Sequence, residues 1–568
     1  MASLYKKVIG GRPYWYLREM AWVDGKPKLA SERYLGTAAE VEALLDARQQ
    51  AMLPERTRHL AFGDVAAVWG MLRRLDVAGL VDEVVGSRRS DAGASVGTYL
   101  ALAALNRVVA PCSKLAFAAW WKTTAADRFT KVPAGVLDHR KFWDAMHTLT
   151  PEHLATVEQR LAVRIIGEFG VDISSLALDM TNFATFIDST NGKAPIAQRG
   201  KAKQKRADLR LVGLGLVVTR DGGIPLVSHA YPGNKPDVTQ FATVIAKLTA
   251  RHADLADQVG TSAPAPMTVV FDAGQNSQDN FDYLAAAGLH YIGSVPPSDV
   301  PDLLALPAGR RRIVDADRFP GLTALQTRRE TYGTTRRVVL THSPTLHAKQ
   351  QAGLEQSLAK ATGRLGELAD RLARGKTRRQ RPAVEHDIDK TCHDSWVKRV
   401  LTWTLTGESP AELRLSFHID QSARAALEKE IFGKRVLITS REHWPIAEVV
   451  AGYRSQSDAE FSFRQLKDRH VVSFAPMHHW TDHHIRVHLF TCVLALQLAH
   501  LMRRIAARAG LHLSVRELLS QLAGIQETVL IYPSTGGRPR ARRMLTETTG
   551  HHDQLIELFH LDQWAPHP

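Results

Sequence analysis

The chain has 568 residues, of which 44% are hydrophobic and 23% are charged, enough apolar sequence for a large core divided among three or more domains. Its net charge of +15 attracts polyanions, although a basic protein without a nucleic-acid partner has the same composition. No apolar run reaches the roughly 18 residues of a membrane span, and no signal-peptide pattern is present. Cys112, Cys392 and Cys492 are too few for a disulfide framework, so we expect a reducing cytoplasm and no membrane association.

Residues 1–55 alternate aromatic and polar residues around Asp24-Gly25, a dipeptide typical of hairpin turns. They predict a small β-hairpin module, either a ribbon that contacts DNA or a solubilising or dimerising flap. Residues 56–171 carry apolar residues at helical spacing. They predict a helical domain, which is either a helix-turn-helix reader of DNA or a plain helical bundle.

Residues 172–295 change to an α/β pattern of three strands, helix, strand, helix, strand. Asp179 ends the apolar run 176–178, and Asp272 follows the predicted buried strand 268–271. Open sheets bind ligands beyond the carboxyl ends of their strands, so both carboxylates are candidate site residues. The alternative for each is a strand-end Asp that caps the next turn or helix.

A strongly basic loop follows Asp179, and we expect it to contact phosphate groups of DNA. The alternative is a solvated loop without a partner. The cations that we assign to DNA binding here are Arg199, Lys201, Lys203, Lys205 and Arg206.

The remaining chain divides into three predicted segments. Residues 296–444 contain several short strand patterns and separate Asp272 from Glu460 by far more chain than a loop occupies, so they predict a β-rich insertion subdomain. Residues 445–510 predict the second part of the core, beginning with a helix over 446–467. Residues 511–568 predict a helical and basic C-terminal tail.

One face of the predicted helix 446–467 carries a carboxylate followed by two cations. Within an arc of about 80°, at roughly 100° per residue, lie Tyr453, Gln456, Glu460, Arg464 and Lys467. A carboxylate that holds a divalent metal, with cations near it for phosphate, suits phosphoryl chemistry on DNA. The alternative is a solvated helix on which Glu460 and Arg464 form an ordinary i, i+4 pair.

Five histidines lie in the segment MHHWTDHHIRVH. His484 and His488 have the i, i+4 spacing of metal ligands on a helix. There is no Glu between them as in zinc proteases, so the sequence favours phosphate contacts or a polar helix start over a metal site.

The order of strand Asp179, strand Asp272 and helix Glu460 resembles that of DDE insertion-sequence transposases with an RNase H-like catalytic domain. The helix is similar to the signature Tyr-x2-Arg-x3-Glu-x6-Lys of the YREK group. Tyr453, Glu460 and Lys467 match it, whereas Gln456 occupies the Arg position and Arg454 or Arg464 would replace that contact. The segments PLVSHAYPGNKPD, FDAGQNSQDNFDYL and HHIRVHLFTCVLALQLAHLM are also similar to this group, over roughly residues 60–510.

The resemblance implies an α/β fold, in which an RNase H-like mixed sheet forms the catalytic core and is interrupted by the β-rich insertion. It implies that Asp179, Asp272 and Glu460 hold two Mg²⁺ ions, for which Mn²⁺ can substitute. Tyr453, Arg454, Arg464 and Lys467 would contact DNA. The implied partners are double-stranded DNA, as terminal inverted repeats and as target, and a second copy of the chain, since two ends must be joined.

This resemblance predicts a transposase that cleaves DNA and transfers strands, in the cytoplasm and associated with the nucleoid. Two alternatives remain open from the sequence. One is a transposase-derived DNA-binding protein that no longer catalyses, and the other is an RNase H-like nuclease without strand transfer.

Overall fold

The fold is described from a computed structural model that covers residues 2–23, 25–51, 53–86, 93–200, 208–259, 266–376, 378–533 and 540–567. Asp24 of the predicted hairpin turn lies outside the described residues. So do four cations of the predicted DNA-binding loop, which are Lys201, Lys203, Lys205 and Arg206.

The N-terminal segment forms a three-stranded antiparallel sheet, which has one strand more than the predicted hairpin. Its elements are β1 (Ala2–Ile9), β2 (Arg12–Val23), β3 (Lys26–Gly36) and the following helix α1 (Ala38–Ala51). The ring of Tyr34 packs against those of Tyr14 and Tyr16, and Trp22 is 77% exposed. Cross-strand aromatic pairs therefore stabilise this sheet, which has few buried residues of its own.

The helical region begins with one strand and continues as seven helices. They are β4 (Arg56–Ala61), α2 (Gly63–Arg74), α3 (Val77–Val85), α4 (Val96–Val109), α5 (Lys114–Trp121), α6 (Ala126–Thr130), α7 (His139–Thr148) and α8 (Pro151–Phe169). The ends of α8 show why the helices begin and end where they do. Thr150 caps its first turn with Pro151 next in the chain, and Gly170 ends it in the left-handed conformation.

A mixed sheet of nine strands lies at the centre of the molecule. Its first part follows the predicted chain order: β5 (Ser175–Thr185), β6 (Arg210–Thr219), β7 (Pro225–Pro232), α9 (Phe241–Val259), β8 (Thr268–Val270), α10 (Gln278–Ala286) and β9 (His290–Val295). Across the sheet these strands have the order β9-β8-β5-β6-β7. β5, β8 and β9 run parallel, whereas β6 is antiparallel to both β5 and β7.

Residues 296–444 are organised differently from the predicted β-rich subdomain. They form α11 (Pro301–Leu304), β10 (Arg312–Ile313), β11 (Thr323–Thr331), β12 (Thr334–His342), α12 (Pro344–Ala373), α13 (Arg381–Thr391), α14 (Ser395–Val400), β13 (Leu401–Thr406), β14 (Arg414–Ile419), α15 (Gln421–Ile431) and β15 (Lys434–Thr439). Four of these strands extend the central sheet beyond β9, in the order β10-β11-β12-β15. Only β13 and β14 form a separate pair.

The separately packed part of this segment is mainly helical, which corrects the prediction. Leucines recur at helical spacing along α12, and Leu354, Leu358, Leu365 and Leu372 are buried in one cluster. Val384, Val397 and Leu427 of the shorter helices join that cluster. The strand patterns seen in the sequence belong largely to the central sheet, because strands pair with distant segments that local periodicity does not reveal.

The predicted helix 446–467 is divided into α16 (Ile446–Arg454) and α17 (Gln456–Lys467). At Ser455 the backbone N–H is shared between the carbonyls of Ala451 and Gly452, and the hydroxyl donates to Gly452 O at 2.6 Å. Such back-bonding by serine tightens a turn and bends a helix. The break therefore lies between Tyr453 and Glu460, two residues predicted to share one helical face.

The next helix, α18 (Asp482–Arg508), forms the centre of the core behind the sheet. It has the length and mean hydropathy of a membrane-spanning helix, and the bent pair α4 and α5 passes the same test together. However, 94% of the most apolar 18-residue window of α18 is buried inside the protein. Burial of that kind is typical of a core helix.

The C-terminal segment returns to the helical region. Its elements are α19 (Val515–Ala523), β16 (Gln526–Tyr532), β17 (Arg540–Leu545) and α20 (Gly550–Leu558). β16 pairs with both β17 and β4. The fully buried Glu527 accepts hydrogen bonds from Arg128 and Arg543, so a paired buried carboxylate fixes this part of the predicted tail.

Close packing of α3 against α4 gives a stability test at Gly97. A methyl group at this position would overlap the carbonyl oxygen of Ala78, whereas nothing lies within 4 Å of a methyl group at Gly167. We expect Gly97→Ala to destabilise the fold by about 1–3 kcal/mol through overpacking. Gly167→Ala in α8 should be neutral or stabilise by about 0.5–1 kcal/mol. Thermal unfolding measures both, and equal melting temperatures would contradict this packing.

Candidate active site

The parallel pairing of β5 with β8 brings Asp179 and Asp272 to the same level of the sheet. Ala177 lies opposite Val270, and each aspartate is two residues further along its own strand direction. Asp272 keeps an extended backbone beyond the last residue of β8 (φ −89°, ψ 165°). Neighbouring strands are about 4.8 Å apart, so the two aspartates extend from adjacent strands at matching positions.

Both aspartates face the same side of the sheet, because side chains alternate along a strand. The residues next to these aspartates in the chain, Met180 and Phe271, face α9. Met180 packs near Val244, and Phe271 packs edge-on to Phe241. Asp179 and Asp272 must then face the opposite side, which α16 and α17 cover.

The helices α16 and α17 cross that side from β9 to β5. Tyr453 hydrogen bonds to Ser294 on β9, and Lys467 Nζ donates to Thr181 Oγ1 on β5 at 2.9 Å. β8, which leads into Asp272, lies between those two strands. Glu460 is seven residues from each anchor and lies on α17, which packs on β5 and β6.

The Glu460 side chain is exposed. Within the part of the chain that the structure describes, its carboxylate makes no hydrogen bond or ion pair. The ligand oxygens of the three carboxylates are not all within 4.8 Å of one another.

Backbone groups orient the two aspartates. Asp179 Oδ1 accepts a hydrogen bond from the Met180 N–H at 2.7 Å, and Asp272 Oδ1 accepts one from the Gly274 N–H at 2.6 Å. The Asp272 contact is also the capping interaction that we considered as its alternative role. Capping uses one oxygen and a carboxylate has two, so the contact restricts the orientation of Asp272 without excluding a metal role.

Tyr453 lies close enough to Asp272 and Glu460 to feel the charge of both carboxylates. Burial raises the pKa of its phenol, and the charges of Asp272 and Glu460 raise it further, against the lowering effects of the Ser294 hydrogen bond and of Arg435. Likewise, burial and the hydrogen bond to Asp237 raise the pKa of Tyr231, and the charge of Asp179 adds to this effect. The three acidic residues therefore act on the tyrosines that flank them.

The donor set fits a hard divalent cation. It consists of three carboxylates, one from the middle of β5, one directly after β8 and one on α17, without imidazole or thiolate, and such oxygen donors suit Mg²⁺ or Mn²⁺. Asp179, Asp272 and Glu460 are therefore the residues that could hold a metal here.

The predicted DNA-binding cations have different surroundings in the structure. Arg464 is exposed on α17 and its guanidinium lies 5.9 Å from the ring centroid of Phe461. Arg454 instead packs over the ring of Phe319, at 4.5 Å. Arg199 is exposed near the far end of β5, since its neighbour Gln198 bridges to Leu211. Gln456, which replaces the signature arginine, is only 8% exposed.

Sequence reasoning missed the residues that anchor this site. Thr181 binds Lys467 at the end of α17, and Ser294 binds Tyr453 at the end of α16. Asn276 donates to Ser294 O at 2.8 Å, which fixes the loop after Asp272 to β9. The signal available for Thr181 was its position two residues after Asp179, on the same face of a strand. Nothing in the local sequence pointed to Ser294.

Asp458 is a second acid of α17, two residues from Glu460, but it faces the interior. Burial raises its pKa from 3.8 to about 6, although Arg503 and Arg220 favour the charged form. The native state therefore binds this proton more tightly than the unfolded chain does. The stability that Asp458 contributes is complete below about pH 4 and is lost as the pH rises through 6.

Asp458→Asn should remove that loss, because asparagine stays neutral. We expect the variant to gain about 1–2 kcal/mol over the parent protein at pH 8, after allowance for solvent screening, and little at pH 4. Melting temperatures across this range measure the effect. Ser457→Ala, an exposed change on the same helix, is the control, and a gain for Asp458→Asn that does not depend on pH would contradict the assignment.

A family model described as Transposase DDE domain matches residues 183–498, which is more than half of the chain. The match contains Asp272, Glu460 and Lys467 and begins four residues after Asp179. No curated protein matches. A cryo-EM structure of the piggyBac transposase synaptic complex with hairpin DNA is similar at 8% identity and a TM-score of 0.34, over 83% of this chain and 82% of that chain, a likeness too small to support an argument. On the family match, the chain belongs to the transposases with a DDE domain.

Proposed function

We propose that this transposase cleaves DNA at the terminal inverted repeats of an insertion sequence and joins those ends to target DNA. The reaction is a metal-dependent phosphoryl transfer at Asp179, Asp272 and Glu460. The observation that carries the proposal is the register of β5 with β8, which places two aspartates at one level on the face crossed by the helix of Glu460. Three carboxylates from separate parts of the chain are otherwise unexpected on one face of a basic protein.

An RNase H-like catalytic core is part of the proposal. Its support is the order β9-β8-β5-β6-β7, with parallel pairing only among β5, β8 and β9. The YREK signature is also part of it. Its support is the attachment of Tyr453, at the end of α16, to β9 and of Lys467, at the end of α17, to β5, although Gln456 is buried where the signature has arginine.

The three carboxylates hold and orient the divalent ions. When bound, two Mg²⁺ or Mn²⁺ ions supply activation of the attacking oxygen and stabilisation of the leaving oxygen. Lys467 fixes α17 to β5 through Thr181 and adds positive charge beside the Asp179 end of the site. Tyr453, at the end of α16, fixes that helix to β9 through its hydrogen bond to Ser294. Attack by water gives cleavage, and attack by a DNA 3′-hydroxyl gives joining.

The DNA duplex would approach the exposed side of α17. Arg464 is an exposed cation of α17, and the exposed Arg199 belongs to the basic loop after β5. The net charge of +15 favours binding of a polyanion generally. Two ends have to be cut and paired, so we propose that the active species on DNA is at least a dimer. This substrate would place the protein with the chromosome.

Neutral replacement of each carboxylate tests the reaction. We expect Asp179→Asn, Asp272→Asn and Glu460→Gln each to reduce metal-dependent cleavage of a terminal-repeat duplex by at least about a thousandfold, corresponding to roughly 4 kcal/mol of transition-state stabilisation. DNA binding measured by gel shift should remain. Asp458→Asn on the same helix is the matched control and should retain cleavage.

Three outcomes would contradict this proposal in different ways. Full activity in any of the three carboxylate variants would remove that residue from the site. A parent protein that shifts the duplex without cutting it would be a DNA-binding protein only. Nicks without joined products, when a 3′-hydroxyl end and target DNA are supplied, would indicate a nuclease rather than a transposase.

The assignment of Arg464 to the DNA backbone predicts a particular salt dependence. Loss of one phosphate contact should weaken binding similarly for all sequences and reduce the slope of log K against log salt concentration by about 0.9. We expect this for Arg464→Gln. Arg454→Gln is the contrasting variant because its guanidinium packs on Phe319, and an equal change of slope in both variants would contradict the assignment.

A further inference from the structure

Three histidines from two helices converge at a distance from the carboxylates. His147 is in the last turn of α7, and His483 and His484 are in the first turn of α18. Their ring centroids are 5.8 Å (His147–His483), 6.2 Å (His147–His484) and 5.5 Å (His483–His484) apart. One ring nitrogen from each residue lies within 4.8 Å of those of the other two.

These distances are close to those around a tetrahedral metal ion. With Zn–N bonds of about 2.1 Å, three tetrahedral imidazoles have ring centroids roughly 5 Å apart and ligand nitrogens roughly 3.4 Å apart. Small rotations of three partly exposed side chains cover the difference. The cluster therefore requires no movement of α7 relative to α18 to hold an ion.

The hydrogen bonds of these rings leave nitrogen lone pairs available. His483 Nε2 is 2.8 Å from the carbonyl oxygen of Met146, and since that oxygen can only accept, Nε2 carries the proton and Nδ1 the lone pair. A ligating histidine commonly donates its other N–H to a backbone carbonyl in this way. The buried Nε2 atom of His484 has no hydrogen-bond partner among the described residues.

The helix ends beside the cluster have opposite effects on a bound cation. The C-terminal end of α7 favours a cation at His147, whereas the N-terminal end of α18 opposes one at His483 and His484. Asp482 in the same turn of α18 is negatively charged and is ion-paired with Arg486.

We propose that His147, His483 and His484 form a binding site for one late transition-metal ion, of which Zn²⁺ is the ion that three imidazoles favour. Water completes the coordination at the exposed side. The site differs chemically from the carboxylate site, because Mg²⁺ prefers oxygen donors. The His484–His488 pair suggested by sequence spacing does not form it, since His488 is buried and its Nε2 lies 2.8 Å from Phe474 O.

The contacts of the first turn of α18 indicate which parts of the fold a bound ion would hold together. Asp482 accepts a hydrogen bond from the Ile196 N–H at 2.9 Å, and its own N–H donates to Lys193 O at 2.8 Å. Asn191 donates to Trp480 O at 2.7 Å. A metal bound to His483, His484 and His147 therefore fixes the helical region, α18 and the start of the basic loop to one another.

Titration of the metal-stripped full-length protein with Co²⁺ tests the site, because tetrahedral Co²⁺ has visible absorption bands that octahedral Co²⁺ largely lacks. Excess Mg²⁺ is present throughout, so that the carboxylate site does not contribute. We expect one tetrahedral Co²⁺ per chain, displaced by Zn²⁺, and a higher melting temperature with Zn²⁺ than with a chelator. A parent protein without tetrahedral bands or without the Zn²⁺ effect would overturn the proposal.

Single substitutions of the histidines identify which of them bind the metal ion. Since loss of an outer hydrogen-bond partner already costs 10–100-fold in affinity, we expect His484→Gln and His147→Gln each to weaken Co²⁺ binding by more than about 100-fold. His478→Gln, an exposed histidine of the same segment, is the matched control and should bind as the parent does. His147 is exposed, so its variant should fold even if His484→Gln does not. Unchanged binding in His147→Gln would overturn the site.

Discussion

The parallel alignment of β5 with β8 is the constraint on which the candidate active site depends. Backbone hydrogen bonds fix Ala177 opposite Val270, and the strict alternation of side chains then gives Asp179 and Asp272 the same face and the same level. A slip of one residue would turn one of the aspartates toward α9. Buried side chains on the other face, such as Phe271 against Phe241, oppose such a slip. The apolar core thus determines the geometry of the polar site.

The third carboxylate depends on a different kind of interaction. The helix pair that carries Glu460 is attached at Ser294 through Tyr453 and at Thr181 through Lys467. The turn at Ser455 adjusts the path of the pair between these attachments. Before α16, Arg337 binds the carbonyl oxygens of Arg441, Glu442 and Trp444. The long segment between Asp272 and Glu460 therefore returns to the sheet at a defined point.

The two proposed sites use different donors and different supports. The carboxylates extend from a sheet and one helix and have the oxygen chemistry of magnesium, whereas the histidines join two helix ends and have the nitrogen chemistry of zinc. The start of α18 lies beside the histidines and also contacts the loop that begins after β5, through Asp482 and Trp480. The fold of the basic loop is thus linked to the helical region through side chains that take no part in the proposed reaction.

The sequence by itself determined that Asp272 follows an apolar strand, that Glu460 lies on a helix, and the chain order of the elements from β5 to β9. These features are local, since strand ends and helical spacing are visible within a few residues. The sequence misplaced Asp179, which was expected at a strand end and lies in the middle of β5 (Ser175–Thr185). Only the tertiary structure decided which strands pair and that β10, β11, β12 and β15 join the central sheet. It also decided that the leucines of α12 form a separate hydrophobic cluster with the neighbouring helices. The break at Ser455 and the meeting of His147 with His483 and His484 were decided there as well. Such contacts join residues that are far apart in the chain, and local periodicity carries no information about them.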